Sequence, residues 1–250
     1  MSLAWFNGLL IVWSAIALIS FGSLWWKPAP YGRYFEPGWG RALDARWGWI
    51  LMESPAVLVL PFWFVISERT ANPIAQVFVL LWLVHYIHRA WIYPFRKQAG
   101  RPMPLGLALC AVAFNLVNGG FNGGWLFHLS PAHPPDWLSR PQFLIGVAVF
   151  AGGFAINVQA DTVLIRLRRK SPHYRTPEGG LFRWISCPNY LGEIVEWCGW
   201  AILTWSWAGL SFAVWTAANL VPRAVAHHRF YGTHIEGYPA SRKAILPFVF

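Results

Sequence analysis

Hydrophobic positions in this chain fall in long unbroken runs. They show neither the alternation of a half-buried strand nor the single stripe of a surface helix. The stretch Leu3–Trp26 contains no charged residue. Roughly 20 apolar residues suffice to cross a hydrocarbon layer about 30 Å thick, so this stretch predicts a first span. No basic segment precedes it, and its apolar run exceeds that of a signal peptide. Runs at 47–66, 73–93, 105–127 and 142–165 predict four more helices. Residues 197–222 form another uncharged run, and extended back to Asn189 it is too long for one ordinary span. It predicts two helices turning near Ala208 and Gly209. The expected fold is all-α: one polytopic membrane domain over 1–250 with seven transmembrane helices.

Charge gives this count an independent check. With seven spans, 17 of the 20 Lys and Arg residues fall on one side of the membrane, only Arg69 and Arg140 fall on the other, and Arg89 lies within the third span. Cationic loops mark the cytosolic face, which predicts an external N-terminus and a cytosolic C-terminus. Merging the last two spans would carry Arg223, Arg229, Arg242 and Lys243 to the wrong side. Composition agrees: 56% of residues are hydrophobic and 12% charged, against about 25% charged in soluble domains. That excludes a disordered chain. A basic nucleic-acid binder is excluded by the long apolar runs that interrupt the cations. Cys110, Cys187 and Cys198 are too few, and wrongly spaced, for a disulfide scaffold or a metal-binding cysteine cluster. No Lys lies inside a span, so a retinal Schiff base has no attachment point.

Ionisable and amide side chains inside a bilayer are costly and point to function. Glu53 falls in the second span, His85, Tyr86, His88 and Arg89 in the third, and Asn157 and Asp161 in the fifth. Glu193 and Glu196 follow in the sixth, one turn apart on one face. Together they predict a polar cavity open to the basic side. The pair His85 and His88 is only a fragment of the histidine clusters of membrane di-iron enzymes, so no metal is expected. No Gly-x-Gly-x-x-Gly turn joins a strand to a helix, which excludes a Rossmann domain. Asn118-Gly119-Gly120 and Asn122-Gly123-Gly124 predict close helix packing or a helix break. The loop 166–183 and the segment from Arg223 offer guanidiniums that suit phosphate oxygens bidentately. Arg223, His227, Arg229 and Tyr231 crowd into nine residues beside an expected helix end.

Several segments carry a resemblance. Gly179-Gly180-Leu181-Phe182 followed by Asn189-Tyr190-Leu191-Gly192-Glu193-Ile194-Val195-Glu196-Trp197 resembles the steroid 5α-reductase (3-oxo-5α-steroid 4-dehydrogenase) family. So do His227-His228-Arg229-Phe230-Tyr231 and Tyr238-Pro239 through Ser241-Arg242-Lys243-Ala244. Upstream, Ala29-Pro30-Tyr31-Gly32, Glu53-Ser54-Pro55, His85-Tyr86-Ile87-His88-Arg89 and Gly100-Arg101-Pro102 extend it over nearly the whole chain, and Asn157 with Asp161 fits as well. The C-terminal half alone also looks like sterol reductases and isoprenylcysteine carboxyl methyltransferases. Its pairing with Glu53 and Tyr86 favours the 5α-reductases.

The resemblance implies a seven-helix enzyme that uses NADPH to reduce the Δ4 double bond of a 3-oxo steroid, delivering hydride to C5. Tyr86 and Glu53 would face the 3-keto oxygen. Arg101, Asn157, Asp161, Arg168, Arg175, Asn189, Glu193, Arg223, His227 and Tyr231 would contact the cofactor, most of them from 142–250. Gln98-Ala99 stands where the mammalian enzymes tend to have Asn-Arg. Gln159 replaces a His, and Ala226 shortens a triple-His run. The expected setting is a bacterial inner membrane, or the endoplasmic reticulum in a eukaryote. Steroid and lipid are the expected partners, with no nucleic acid and no obligate protein. Residue chemistry is consistent with this, because conjugate reduction of an enone builds negative charge on the carbonyl oxygen. A tyrosine hydroxyl, and a glutamic acid kept protonated by low-dielectric surroundings, can both donate there. The alternatives are an S-adenosylmethionine-dependent membrane methyltransferase and a non-enzymatic seven-helix lipid- or steroid-binding protein.

Overall fold

The computed structural model describes residues 2–36, 38–98, 100–171 and 173–250. Ala99, one half of the Gln98-Ala99 departure, lies outside them. Among these residues the long elements are all helices: α1 (Leu3–Trp26), α2 (Ala45–Val65), α3 (Pro73–Ile87), α4 (Tyr93–Arg96), α5 (Leu105–Gly124), α6 (Pro141–Lys170), α7 (Pro188–Thr204) and α8 (Trp207–His234). A π turn, His88–Ile92, joins α3 to α4, so Pro73–Arg96 runs as one helix. Pro94 lacks the N–H that would bond the Ala90 carbonyl, and the turn before it widens. A second π turn, Trp125–Leu129, ends α5. Two-residue strands β1 (Ala42–Leu43) and β2 (Met103–Pro104) pair antiparallel, Leu43 opposite Met103.

The five expected spans before residue 170 are present, each ending within a few residues of its predicted bound. These five helices are long and apolar enough to cross a membrane. The last two differ from expectation. The turn falls at Trp205 and Ser206, not at Ala208 and Gly209. Trp205 adopts a left-handed conformation, φ 46°, and Ser206 caps α8 by accepting from Gly209 N at 3.0 Å. Ser caps a helix better than Ala or Gly starts a turn in mid-run. Moreover, α8 does not stop at Pro222 but continues to His234. A proline inside a helix forfeits one hydrogen bond, and the surrounding packing carries α8 past it. With 17 residues, α7 is about 25 Å long, short for a span.

The chain divides into two compact units. The first comprises Met1–Pro28 and Pro141–Phe250, with α1, α6, α7 and α8. Here α6 and α7 meet backbone to backbone through four glycines. A Cβ on Gly146 would lie 2.7 Å from Leu203 Cα, and one on Gly199 2.7 Å from Phe150 Cα. A Cβ on Gly153 would meet Glu196 Cα at 2.7 Å, and one on Gly192 would meet Asn157 Cα at 3.0 Å. Within each helix the two glycines are seven residues apart, two turns on one face. Helix α1 joins α8 through polar contacts, Ser14 Oγ to Ser211 Oγ at 2.8 Å and Trp215 Nε1 donating to Trp13 O at 3.1 Å. Only Phe6, Leu10 and Ala17 of α1 are buried, so most of the apolar surface of this helix is exposed.

The second unit, Ala29–Arg140, packs α2 on α5 and on α3. Gly119 and Gly123 of the Asn-Gly-Gly repeats allow the close packing expected of them. Cβ atoms there would lie 3.1 Å from Val59 Cβ and 2.8 Å from Trp63 Cβ of α2. Arg69, in the α2–α3 loop, donates to Leu126 O, Ser130 O and Ser130 Oγ. Burial lowers its guanidinium pKa.

Candidate active site

In the second unit, Glu53 stands two residues before Pro55 in α2, a helix that also contains Pro61. These prolines leave the Leu51 and Val57 carbonyls without their usual helical donors, and side chains of neighbouring helices donate to the carbonyls next to them. Asn115 Nδ2 donates to Met52 O at 2.6 Å, and Trp82 Nε1 to Ala56 O at 2.8 Å. Trp82 therefore fastens α3 to α2 within a turn of Glu53. Tyr86 follows one turn later on the same face of α3, 3% exposed, its ring 4.7 Å from Trp82 and 4.8 Å from His85. Glu53 is half-buried. Arg89, the cation inside the third span, lies over the rings of Trp49 (4.7 Å) and Tyr93 (5.1 Å), and Lys97 shares both rings. Arg89 O accepts from Trp49 Nε1. His88 is hydrogen-bonded to Arg96 at 3.1 Å. Arg101 is exposed, just before β2.

In the first unit, the glycine seam lets α6 and α7 share a polar cluster. Asn157 and Asp161 are each 2% exposed. Asn157 Nδ2 donates to Asn189 O at 2.9 Å and reaches Glu193 Oε2 at 3.5 Å, while Asn189 Nδ2 donates to Asp161 Oδ1 at 3.1 Å. Glu196, one turn beyond Glu193, is fully buried. On α8, Arg223, His227 and Tyr231 occupy successive turns of one face and are all buried. Arg223 Nε donates to Tyr190 OH at 3.0 Å, and His227 Nε2 lies 3.2 Å from the same hydroxyl. Arg168 lies 4.1 Å over the Tyr174 ring, which meets Phe230 edge-on. Arg175 is exposed in the loop between α6 and α7.

Of the expected cofactor residues, Asn157, Asp161, Asn189 and Glu193 come together directly. Arg223 and His227 join through Tyr190 of the same helix as Asn189 and Glu193. Arg101 belongs to the other unit. Tyr190 was not among the expected residues, although it stands beside Asn189 in the quoted motif. Also unforeseen is a tether formed by Ser186, whose Oγ lies 2.6 Å from His228 Nδ1 and 2.7 Å from Tyr238 OH. Arg242 covers the Tyr238 ring at 5.3 Å. It is 6% exposed, yet its Nε and Nη1 have no hydrogen-bond partner among the described residues. Two buried guanidinium donors left open in this way suit an anion. The Gln159 side chain lies against Gly180, a residue with φ 53° where a Cβ would meet Gln159 Oε1 at 2.7 Å.

His228 lies past the apolar stretch that ends at Pro222. Burial lowers its pKa, and the nearby Lys243 lowers it further. The neutral imidazole is thus the favoured folded form, and the unfolded chain binds the proton more readily. The tether's contribution to stability is complete above the ordinary histidine pKa of about 6.5 and is lost as pH falls toward the depressed folded value. The wild-type Tm is expected to fall more steeply than that of His228→Gln between about pH 7 and about pH 5. Parallel Tm curves would contradict this role.

Comparison with known proteins adds breadth to this geometry. Residues 101–250 match the family model described as 3-oxo-5-alpha-steroid 4-dehydrogenase. The chain is 39% identical over 251 residues to a steroid 5-alpha-reductase DET2 of Gossypium hirsutum, covering 98% of this chain and 97% of that protein. It is 40% identical to steroid 5-alpha-reductase DET2 of Solanum lycopersicum, over 89% of this chain and 88% of that one. The human 3-oxo-5-alpha-steroid 4-dehydrogenase 1 is 39% identical over 224 residues, 88% of this chain and 86% of its own.

Proposed function

Because the chain belongs to the 3-oxo-5-alpha-steroid 4-dehydrogenase family, we propose that it reduces the Δ4 double bond of a 3-oxo steroid at the expense of NADPH. The observation that carries this reading is similarity along nearly the full length, 98% of this chain and 97% of the cotton protein. It takes in the Glu53 and Tyr86 segments as well as the C-terminal motifs. We further propose that both units serve a single reductase, with seven spans and a cytosolic C-terminus. The uneven distribution of Lys and Arg supports that orientation.

The donor set suits a phosphorylated dinucleotide. Arg168, Arg175, Arg223 and Arg242 supply guanidiniums for phosphate oxygens. Asn157, Asp161, Asn189 and Glu193 offer amide and carboxylate partners for a carboxamide or ribose hydroxyl. His227, Tyr231 and Tyr190 hold the Arg223 side of the cluster in place. When bound, NADPH supplies the hydride.

Polarising the substrate carbonyl falls to side chains of the second unit. As the β-carbon of the enone is reduced, negative charge moves to the 3-keto oxygen. Tyr86 donates its phenolic hydrogen to that oxygen, and Glu53 in its protonated form donates a second hydrogen bond. The low-dielectric setting of Tyr86, 3% exposed, strengthens such a donor relative to water. The resulting enol takes a proton at its α-carbon from water and returns its O–H proton to the Tyr86 oxygen, and the hydroxide left behind takes up a solvent proton. Trp82 and His85 hold the tyrosine ring and limit its rotamers.

The test is incubation of purified protein with NADPH and a panel of Δ4-3-oxo steroids, progesterone and testosterone among them, with product identification. Loss of nicotinamide absorbance with formation of the 4,5-dihydro steroid is the expected result. No oxidation with any enone, together with tight S-adenosylmethionine binding, would replace the reductase reading with a methyltransferase.

A further inference from the structure

Residues 246–250 form a tight turn held by its own backbone. Ile245 N and Leu246 N donate to Phe250 O at 2.9 and 2.6 Å, and Phe250 N donates to Leu246 O at 3.1 Å. The segment just before it is fastened to the start of α7, Ser186 N donating to Lys243 O and Cys187 N to Ala244 O. Phe248 occupies the left-handed region, φ 66°, a conformation that is costly for a bulky side chain. That strain goes to presenting apolar groups outward, since Phe248 is 77% and Val249 75% exposed. In water such a turn would be unfavourable on both counts.

Two ring contacts identify its surroundings. Phe250 stacks on Trp25, centroids 6.2 Å apart and planes at 14°, and Phe248 lies 6.2 Å from Trp184. Trp25 and Trp26 end α1, a helix long and apolar enough to cross a membrane. Tryptophan at the end of a span sits at headgroup depth, so the turn stacked on it shares that depth. Trp26 is 90% exposed. Cations border the patch: Lys27 directly after Trp26, Arg183 over the Trp184 ring at 5.7 Å, and Lys243 beside the turn. No acidic side chain lies within residues 237–250, so the charged side chains of this segment, Arg242 and Lys243, are both cationic.

We propose that this turn is an interfacial anchor: Phe248 and Val249, with Trp184, insert into the headgroup layer, and Lys27, Arg183 and Lys243 bind anionic phospholipid there. Apolar side chains at this depth gain burial, and each cation near an anionic surface adds attraction. The anchor fixes the depth of the segment that carries Arg242 and, through Ser186, the start of α7.

The experiment uses the full chain in phosphatidylcholine vesicles with and without phosphatidylglycerol. With Cys110, Cys187 and Cys198 replaced by Ser, a spin label is attached through Phe248→Cys and, as a control in the exposed α6–α7 loop, through Glu178→Cys. At 248, collisions with oxygen are expected to exceed collisions with a water-soluble nickel chelate; at 178 the order reverses. Val249→Cys repeats the measurement if the 248 variant does not fold. Chelate access at 248 or 249 equal to that at 178 overturns the anchor, and shielding from both reagents would indicate a protein partner and overturn it too. In native mass spectrometry, phosphatidylglycerol retained by Lys27→Gln/Arg183→Gln/Lys243→Gln is expected to fall at least about threefold. Unchanged retention overturns the lipid assignment.

Discussion

Tyr86→Phe is expected to lower turnover by about 10²–10³-fold, the range for removing one oxyanion donor from a water-poor site. The change deletes only the hydroxyl. The ring keeps its contacts with Trp82 at 4.7 Å and His85 at 4.8 Å, so the fold and the Tm should hold. NADPH binding, assigned here mainly to residues of the other unit, should stay within about twofold of wild type. This combination separates a lost transition-state interaction from a damaged site. Glu53→Ala should likewise abolish turnover while cofactor binding largely survives. Full activity in both variants would remove the proposed mechanism and leave the family assignment standing.

The second large effect concerns folding. Gly153→Ala adds one methyl group, yet its Cβ would lie 2.6 Å from Gly192 O and 2.7 Å from Glu196 Cα. Both are backbone atoms and cannot swing aside. The helices must part, and with them Asn157 from Asn189. Overpacking in a rigid core costs about 1–3 kcal/mol and sometimes more, and the upper end is expected here. The variant should be recovered in low yield with a clearly reduced Tm. Its neighbour provides the control, since a Cβ on Gly152 meets nothing within 4 Å. Gly152→Ala should be neutral or stabilising by up to about 1 kcal/mol, because alanine has the higher helix propensity. Equal Tm values for the two variants would show that the seam does not depend on close approach.

Much of this fold is legible in the sequence because a bilayer makes the signal coarse: a charge-free run such as Leu3–Trp26 has few ways to be stable other than as a helix. The two helices of the last apolar stretch are legible, but the turn between α7 and α8 lies a few residues before Ala208 and Gly209. In a continuously apolar stretch, the Ser206 cap competes with Ala208 and Gly209, and only tertiary packing decides among them. The length of α8 is hidden for a related reason. Pro222 reads as a helix end, yet the helix passes through it and places Arg223, His227 and Tyr231 on one face. The seam glycines 146, 153, 192 and 199 are not legible as a packing motif, because neither pair has the four-residue spacing of the common small-residue motif. Tyr190 and Ser186 gain meaning only once α8 stands beside α7. Glu53, Tyr86, Asn157 and Asp161 were readable from their polarity alone, being costly residues in apolar surroundings.

The π turn at His88–Ile92 has a consequence for how helix Pro73–Arg96 can change. An extra residue in one turn sets the phase of all that follows back by about 100° relative to an unbroken α-helix. The stretch bearing Trp82 and Tyr86 therefore keeps one angular register, and the stretch bearing Tyr93 and Arg96 keeps another. A single stripe fitted over 73–96 mixes the two. Deleting one residue within the turn would restore α geometry and rotate one stretch away from its partners while leaving its composition untouched. Single-residue insertions and deletions at this point would thus act as angular adjustments, re-aiming Tyr86 without changing any residue around it.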